Sequence, residues 1–290
     1  MTYKSRSIKR SRRSKAEIER LKIDICSLLR REQPMTARHL FYRLVSAGVI
    51  GKTEAEYKNT LIRLLSEMRR ASEMPFEWLV DSTRWIRKPD SYSSLQAALD
   101  NCQMTYRRAL WDSQPAYAEV WCEKDAIASI LYQETAEFDV PLMVCRGFSS
   151  LSFIHNAAET IRQKNKPAHI LYFGDFDPSG LSISQTLERD LKEFSRGAEI
   201  IFRRLAVTRE QITEWNLPTR PTKTTDSRAK NFEGESVEVD AIAGVQLREL
   251  CRGAIFDLIE PTAFDAVRVA EDSERYSLRI FTEHAMGEDT

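Results

Sequence analysis

Two aspartates separated by a single residue stand in the segment HILYFGDFDPSG, where an apolar run meets a turn. Carboxylates this close, Asp175 and Asp177, could together hold a divalent cation. Asp177 also precedes a proline, and aspartate before proline is a common way to begin a helix. Helical spacing after the turn supports that simpler role and is shown by Ile183, Leu187, Leu191 and Phe194.

A third carboxylate makes a metal site the better interpretation. Glu123 ends a separate apolar run, AYAEVWCE, and would stand beside the aspartates if the two runs are neighbouring strands. Such an edge suits magnesium, which combines about one or two protein carboxylates with substrate phosphate oxygens. A calcium loop fails because Thr186 stands where a bidentate glutamate is required. A phosphoaspartate hydrolase, which also begins with a strand and an Asp-x-Asp pair, stays open. We therefore predict Mg²⁺ bound by Glu123, Asp175 and Asp177.

A parallel sheet would bring these carboxylates to one edge. Four short apolar runs, AYAEVWCE, PLMVCRGF, AHILYFGDF and EIIFRRLAV, are separated by helical patterns. Strands that alternate with helices predict an α/β domain whose parallel sheet is covered by helices. Active groups in such sheets gather outside the carboxyl ends of the strands. We predict a Rossmann-like domain over residues 116–290, joined to the preceding chain by a connector over residues 91–115.

Residues 16–90 have a different sequence pattern, which predicts three amphipathic helices followed by a hairpin. Thr36 is a plausible N-cap for the second helix, and Phe76, Trp78 and Val80 alternate before a polar turn. This order predicts a winged helix-turn-helix, in which the third helix enters the DNA major groove. A three-helix protein-binding module stays open as the alternative. DNA is favoured by a basic outer face on the third helix, formed by Lys58, Arg63, Arg69 and Arg70.

Charge is divided between the two halves of the chain, although the net charge is zero. Residues 1–110 contain 23 Lys and Arg against 12 Asp and Glu, whereas residues 111–290 contain 20 against 31. The first 15 residues hold seven basic residues and no acid, which predicts a disordered arm attracted to polyanions. A solvated tail is the alternative. Residues 216–236 have no periodicity, and we expect Lys223 within them to contact DNA.

Several classes of protein do not fit this sequence. No apolar run approaches the roughly 18 residues of a membrane span, and no signal-peptide pattern is present. The five cysteines show no CxxC spacing, which argues against a zinc site or a disulfide framework. We therefore expect a cytoplasmic protein, without membrane contact, that acts on nucleoid, plasmid or phage DNA.

Three segments, EVWCEKDAI, RGFSS and YFGDFDPSG, together resemble the Toprim domain of the topoisomerase VI A subunit and of its meiotic break-forming relative. In that type IIB family a preceding winged helix carries a nucleophilic tyrosine in a motif like Thr-Lys-Arg-x-x-Tyr-Tyr. TARHLFYR stands at the corresponding place, where Arg38 matches the motif arginine, Phe41 the first aromatic and Tyr42 the nucleophile. VEVDAIAG, with Glu238 and Asp240, is similar to the segment after the family's metal site. The resemblance covers about residues 30–260.

The resemblance implies a DNA-cleaving and rejoining transesterase. Tyr42 would form a 5′-phosphotyrosyl link with DNA while Mg²⁺ at the three carboxylates assists, in a homodimer whose composite sites take tyrosine and metal from different subunits. The helical spacing of Arg38 and Tyr42 agrees, since residues four apart share a face and an arginine can stabilise a phenolate. The alternatives are a Toprim-type Mg²⁺-dependent nuclease that uses water, and a DNA-binding regulator without catalysis.

The family enzyme works with a separate ATPase subunit, which docks through a sequence ahead of the winged helix. Here 35 residues precede TARHLFYR, and the sequence contains no Walker-type glycine loop. The chain therefore resembles the short relatives called mini-A. A separate ATPase partner stays open.

Overall fold

Helices around one apolar core form the N-terminal unit of the chain, residues 1–80, and a larger α/β unit follows over residues 81–290. The computed structural model describes residues 13–80, 88–221, 232 and 235–285. The N-terminal elements are α1 (Lys15–Glu32), β1 (Met35–Thr36), α2 (Ala37–Ser46), a π-helical segment (Glu56–Ile62), α3 (Arg63–Arg70) and β2 (Leu79–Val80).

Side-chain caps fix the starts of the first two helices. The Ser14 hydroxyl accepts a hydrogen bond from the Glu17 amide at 3.2 Å, and the Glu17 carboxylate accepts one from the Ser14 amide in return. Thr36 caps α2 by accepting from the His39 amide at 3.1 Å, which confirms the predicted N-cap. The helices of this unit turn their apolar faces to the core; its members on them include Leu21, Ile25, Leu28, Leu29, Leu40, Phe41, Leu44, Leu61, Leu64, Leu65 and Met68.

The expected strand over Phe76–Val80 is wrong in part. Phe76–Trp78 form a 3₁₀ turn, and only Leu79 and Val80 are in a strand. Pro75 precedes the turn with φ −63°. The Leu79 amide donates to the Phe76 carbonyl and so closes the 3₁₀ turn. β2 pairs in parallel with β1. The predicted turn and second strand fall at residues 81–87, outside the described residues.

Four parallel strands form the sheet of the C-terminal unit, in the order β4-β3-β5-β6. They are β3 (Tyr117–Cys122), β4 (Leu142–Val144), β5 (Ala168–Phe173) and β6 (Ile200–Ala206). These correspond to the four apolar runs, so the α/β class and the parallel sheet are confirmed. β3 is buried along its whole length, as expected of a central strand covered on both faces.

Helices alternate with these strands and continue after the last of them. They are α4 (Leu95–Thr105), α5 (Asp125–Glu137), α6 (Leu151–Lys164), α7 (Pro178–Phe194), α8 (Arg209–Glu214), α9 (Gly244–Phe256) and α10 (Pro261–Ala285). α5 packs with α9, α6 with α7, and α4 with α10. With this strand order, the general rule of right-handed crossovers assigns α5 to one face of the sheet and the α6–α7 pair to the other. No helix in the described part of the chain is long and apolar enough to cross a bilayer.

Candidate active site at the carboxyl edge of the sheet

Strand register places two of the predicted carboxylates side by side. Cys122 at the end of β3 lies opposite Phe173 at the end of β5, so the residues that follow leave the sheet together. Glu123 Oε2 accepts a hydrogen bond from the Asp175 amide at 3.0 Å, and the Glu123 amide donates to the Phe173 carbonyl at 2.9 Å. Both carboxylates are buried. The structure therefore brings Glu123 and Asp175 together.

Two glycines allow this close approach. A Cβ on Gly174 would lie 2.5 Å from the Tyr172 ring and 2.8 Å from Glu123 Oε2. A Cβ on Gly180 would overlap the Asp175 carbonyl oxygen and lie 3.0 Å from the carbonyl carbon of that residue. The first turn of α7 thus packs directly on the backbone of Asp175, which only glycine permits at this position.

Asp177 caps α7, as the simpler interpretation of the sequence requires. Its Oδ1 accepts from the Gly180 amide at 2.8 Å. Its Oδ2 lies 3.3 Å from the guanidinium of Arg220, which also contacts Glu238 Oε1 at 2.7 Å. Asp177 is therefore connected to the other acidic residues through Arg220.

Lys124 joins three buried carboxylates from distant parts of the chain. Its Nζ lies 2.9 Å from Asp175 Oδ2, 3.4 Å from Glu238 Oε2 and 3.3 Å from Asp240 Oδ1. Asp175 Oδ1 in turn accepts from the Val239 amide at 2.9 Å, which fixes the segment carrying Glu238 and Asp240 against β5. We call the five carboxylates of Glu123, Asp175, Asp177, Glu238 and Asp240 the acidic cluster.

Burial shapes the protonation of the cluster. Desolvation, together with the charge of Asp175, raises the pKa of Glu123 to about 7. Burial likewise raises the pKa of Asp175 and takes that of Asp240 to about 6, although Lys124 opposes both shifts. Burial disfavours the charged form of Lys124, but the charges of Asp240, Asp175 and Glu238 outweigh it and raise the Lys124 pKa. Glu123 therefore exchanges a proton near neutral pH, whereas Lys124 stays cationic.

Arg204 on β6 ties the strand end to the start of α7. Its guanidinium donates to the carbonyls of Gly174, Asp175 and Gly180 at 3.0, 3.1 and 2.8 Å, and to the Ser184 hydroxyl at 2.9 Å. These bonds hold the backbone of the Asp-x-Asp segment, because they reach both sides of the turn between β5 and α7.

The donor chemistry of the cluster suits a divalent cation, but the arrangement of its oxygens does not. Hard carboxylate oxygens are the ligands that magnesium prefers, and four of the five carboxylates, all but Glu123, contact the basic side chains of Lys124 and Arg220. The arrangement differs from a metal site, because among the described residues no group of three or more His, Cys, Asp or Glu is placed to hold a metal ion. In this structure four of the carboxylates pair with Lys124 and Arg220 instead, and Glu123 accepts from the Asp175 amide.

Tyr42 and Arg38 lie on α2 of the N-terminal unit. Tyr42 is half-buried, its ring packs edge-on against Phe41 at 5.3 Å, and the Lys52 ammonium lies 5.2 Å from the ring centre. Arg38 stacks over the Tyr57 ring at 4.0 Å and forms an ion pair with Glu54 at 3.4 Å. The roles expected for Tyr42 and Arg38 stay predictions.

The basic residues expected to contact DNA differ in their surroundings. Lys58, Arg63 and Arg70 are exposed, and Arg63 pairs with Glu67 at 2.7 Å. Arg69 is half-buried, with its guanidinium 5.5 Å from the Phe76 ring centre. Lys223 lies outside the described residues.

Four cationic residues of these sites were missed by the sequence analysis. Lys124, Arg204 and Arg220 contact the acidic segments, and Lys52 contacts the Tyr42 ring. Only Lys124 had a local signal, since it directly follows Glu123 in the chain. Searches against protein-family models and curated proteins found no match to this chain.

Proposed function

We propose that this chain is a DNA-cleaving and rejoining transesterase related to the topoisomerase VI A subunit, with Tyr42 as nucleophile. The observation that supports it best is the acidic cluster, in which the Glu123 and Asp175 segments meet at the carboxyl edge of a parallel sheet. In the same proposal the N-terminal unit is a winged helix and the C-terminal unit a Toprim domain. The TARHLFYR and GDFDPSG motifs contribute the family resemblance.

The reaction exchanges one phosphodiester for another. The Tyr42 oxygen attacks phosphorus, the bond from phosphorus to the 3′-oxygen breaks, and a 5′-phosphotyrosyl bond forms. The phenol gives its proton to water, and the 3′-oxygen takes one from water to leave as a hydroxyl, so the exchange balances. Glu123, Asp175 and Asp177 would hold the Mg²⁺ in this proposal, and the structure brings the first two side by side. A bound Mg²⁺ would supply positive charge to the scissile phosphate and to the leaving oxygen.

In this proposal, basic side chains of both units contact DNA. Lys58, Arg63, Arg69 and Arg70 would contact phosphates, as would Lys223. Lys52 supplies positive charge beside the Tyr42 ring, and Arg38 stands four residues before Tyr42 on α2, where its guanidinium stacks on the Tyr57 ring. In the proposed homodimer, the tyrosine of one protomer serves the acidic cluster of its partner, and cleavage at two such sites cuts both strands. ATP hydrolysis, if it is coupled, would belong to a separate partner.

A covalent adduct between protein and DNA tests this proposal. We expect Mg²⁺-dependent adducts on a denaturing gel with the native chain, and their loss in Tyr42→Phe, which lacks only the attacking oxygen. Tyr132→Phe is the matched control, because Tyr132 is an exposed tyrosine of the other unit. A Tyr42→Phe chain that still forms the adduct would exclude Tyr42 as the nucleophile.

Mixed dimers test the composite site. Neither Tyr42→Phe nor Asp175→Ala should form an adduct alone. Mixing the two variants should restore adduct at one site of each heterodimer, because that site combines an intact tyrosine with an intact cluster. Verified heterodimers without adduct would mean that each site is built within one protomer.

A Mg²⁺-dependent nuclease is the second candidate. The paired Glu123 and Asp175 segments support it equally, since a Mg²⁺ held there could also activate a water molecule. Free DNA ends that persist in Tyr42→Phe would support the nuclease. DNA binding without any cleavage in Mg²⁺ would support a non-catalytic regulator instead.

A further inference from the structure

One face of α10 packs on the C-terminal unit and fixes the helix in place. Val267 on this face is buried in the core of the unit. The Glu274 carboxylate accepts a hydrogen bond from the Tyr106 hydroxyl at 2.6 Å. The Glu271 carboxylate accepts one from the Arg108 amide at 2.8 Å. The inner face of α10 is therefore held by the core and by the chain just before β3.

The opposite face of α10 carries a second stripe of apolar and small residues, which is turned to solvent. Three and four residues separate its positions in alternation, and they are Ala266, Val269, Ser273, Tyr276 and Ile280. This is the spacing of the a and d positions of a coiled coil, which pack against a partner helix. Val269 is 71% exposed and Tyr276 is 58% exposed. Large apolar side chains gain from leaving water, so this outer stripe favours contact with another helix.

Charges beside the outer stripe indicate what the partner helix is. Asp272 directly precedes Ser273, and Arg279 directly precedes Ile280, so both charges are at g positions on the same side of the stripe. The Arg279 guanidinium lies 5.2 Å from the centre of the Tyr276 ring, at the edge of the stripe. An antiparallel copy of α10 related by a two-fold axis would bring each Asp272 beside the partner's Arg279. A parallel copy would place Asp272 opposite a serine, Ser277, and gain no such pair.

Side-chain sizes also match in the antiparallel arrangement. The same register places Tyr276 opposite the partner's Ser273, so that a large ring meets a small side chain at the centre of the contact. Val269 meets the partner's Ile280 on either side of this centre. Small residues line the other side of the stripe and allow the two helices to approach closely; they are Ala270 and Ser277.

We infer from this self-complementarity that two copies of the chain associate through the outer stripe of α10, as an antiparallel helix pair. The inference goes beyond the proposed function, since it requires neither DNA nor catalysis by Tyr42, and it gives the proposed homodimer a contact surface. The 15 residues from Ala266 to Ile280 span about 22 Å of helix. So short a contact should give a dimer that dissociates on dilution.

Sedimentation equilibrium of the full chain without DNA tests the inference. We expect the native chain to shift from monomer to dimer between micromolar and millimolar concentrations. Tyr276→Glu should weaken this association at least about tenfold, because it places a charge at the centre of the contact. Tyr132→Glu is the matched control and should associate like the native chain, since Tyr132 is 62% exposed but lies on α5. A native chain that stays monomeric, or a dimer unaffected by Tyr276→Glu, overturns the inference.

A charge exchange tests the antiparallel arrangement itself. Asp272→Arg and Arg279→Asp would each place like charges opposite one another at both ends of the contact, and each should weaken the dimer about tenfold. The double variant restores opposite charges and should recover most of the association. A double variant as weak as the single ones would contradict the antiparallel pairing.

These outcomes separate the inference from the proposed function. A dimer that survives every substitution in the outer stripe would contradict the role of α10 and leave the transesterase proposal as it stands. A dimer that responds to these substitutions but forms no adduct with DNA would support the role of α10 and contradict the proposed function alone.

Discussion

Substitution of Gly180 by alanine should loosen the junction between the Asp-x-Asp segment and α7. The added Cβ would overlap the Asp175 carbonyl oxygen and lie 3.0 and 3.1 Å from the carbonyl carbon and Cβ of Asp175. Carbon atoms in packed proteins rest at about 3.5–4.0 Å, so the backbone must move. Such overpacking costs about 1–3 kcal/mol, which exceeds the gain of up to roughly 1 kcal/mol for alanine over glycine in a helix.

Thermal unfolding followed by circular dichroism measures this effect. For a unit of this size, each kcal/mol lowers the midpoint by roughly 2–4 °C. Gly253→Ala is the matched control, since Gly253 lies in α9 with open space where its Cβ would be. We expect Gly253→Ala to raise the unfolding free energy by about 0.5–1 kcal/mol. If Gly180→Ala were stabilised equally, the described packing of α7 on Asp175 would be wrong.

Three further substitutions probe the sheet and its edge. Burial raises the pKa of Glu119 above about 4.5, the value at which the carboxyl ionises in the unfolded chain. The native chain should therefore lose stability as pH rises above about 4.5, because the unfolded state releases its proton first. Glu119→Gln should reduce this loss when the free energy of unfolding is measured by urea titration across pH. Asp177→Ala should lower the free energy of unfolding by about 0.5–2 kcal/mol, because the N-cap of α7 is lost, whereas Asp177→Asn should keep most of the capping stabilisation. Equal losses for the two variants in thermal unfolding would contradict the capping role. Arg204→Met should lower the free energy of unfolding by at least about 2 kcal/mol in denaturant titrations, because four hydrogen bonds are lost, and Arg204→Lys should recover part of this loss. An Arg204→Met chain as stable as the native one would show that these hydrogen bonds do not stabilise the edge.

Much of the sheet could be predicted from sequence, because its strands are short apolar runs buried on both faces. The same topology predicts the meeting of Glu123 and Asp175, since parallel strands end at a common edge and these residues directly follow two neighbouring strands. The capping residues could also be predicted, because Thr36 and Asp177 accept hydrogen bonds from amides only three residues further along the chain.

Contacts between distant segments could not be predicted in this way. Lys124 meets Glu238 and Asp240 more than 110 residues later, and Arg220 bridges Asp177 and Glu238 from a segment without periodicity. No local spacing encodes such contacts, which depend on how the chain packs after the strands have formed. A local pattern can also mislead. The alternation of Phe76, Trp78 and Val80 indicated a strand, but Pro75 and the hydrogen bond from the Leu79 amide to the Phe76 carbonyl favour a 3₁₀ turn over Phe76–Trp78.

The residue that becomes attached to DNA tests the central claim most directly. After cleavage in Mg²⁺, the DNA of the adduct can be digested to a short remnant and the protein digested with trypsin. We expect the remnant on the peptide HLFYR, residues 39–43, which trypsin releases between Arg38 and Arg43, with the phosphate on Tyr42. A remnant on any other peptide, or cleaved DNA without an attached peptide, would contradict transesterification by Tyr42.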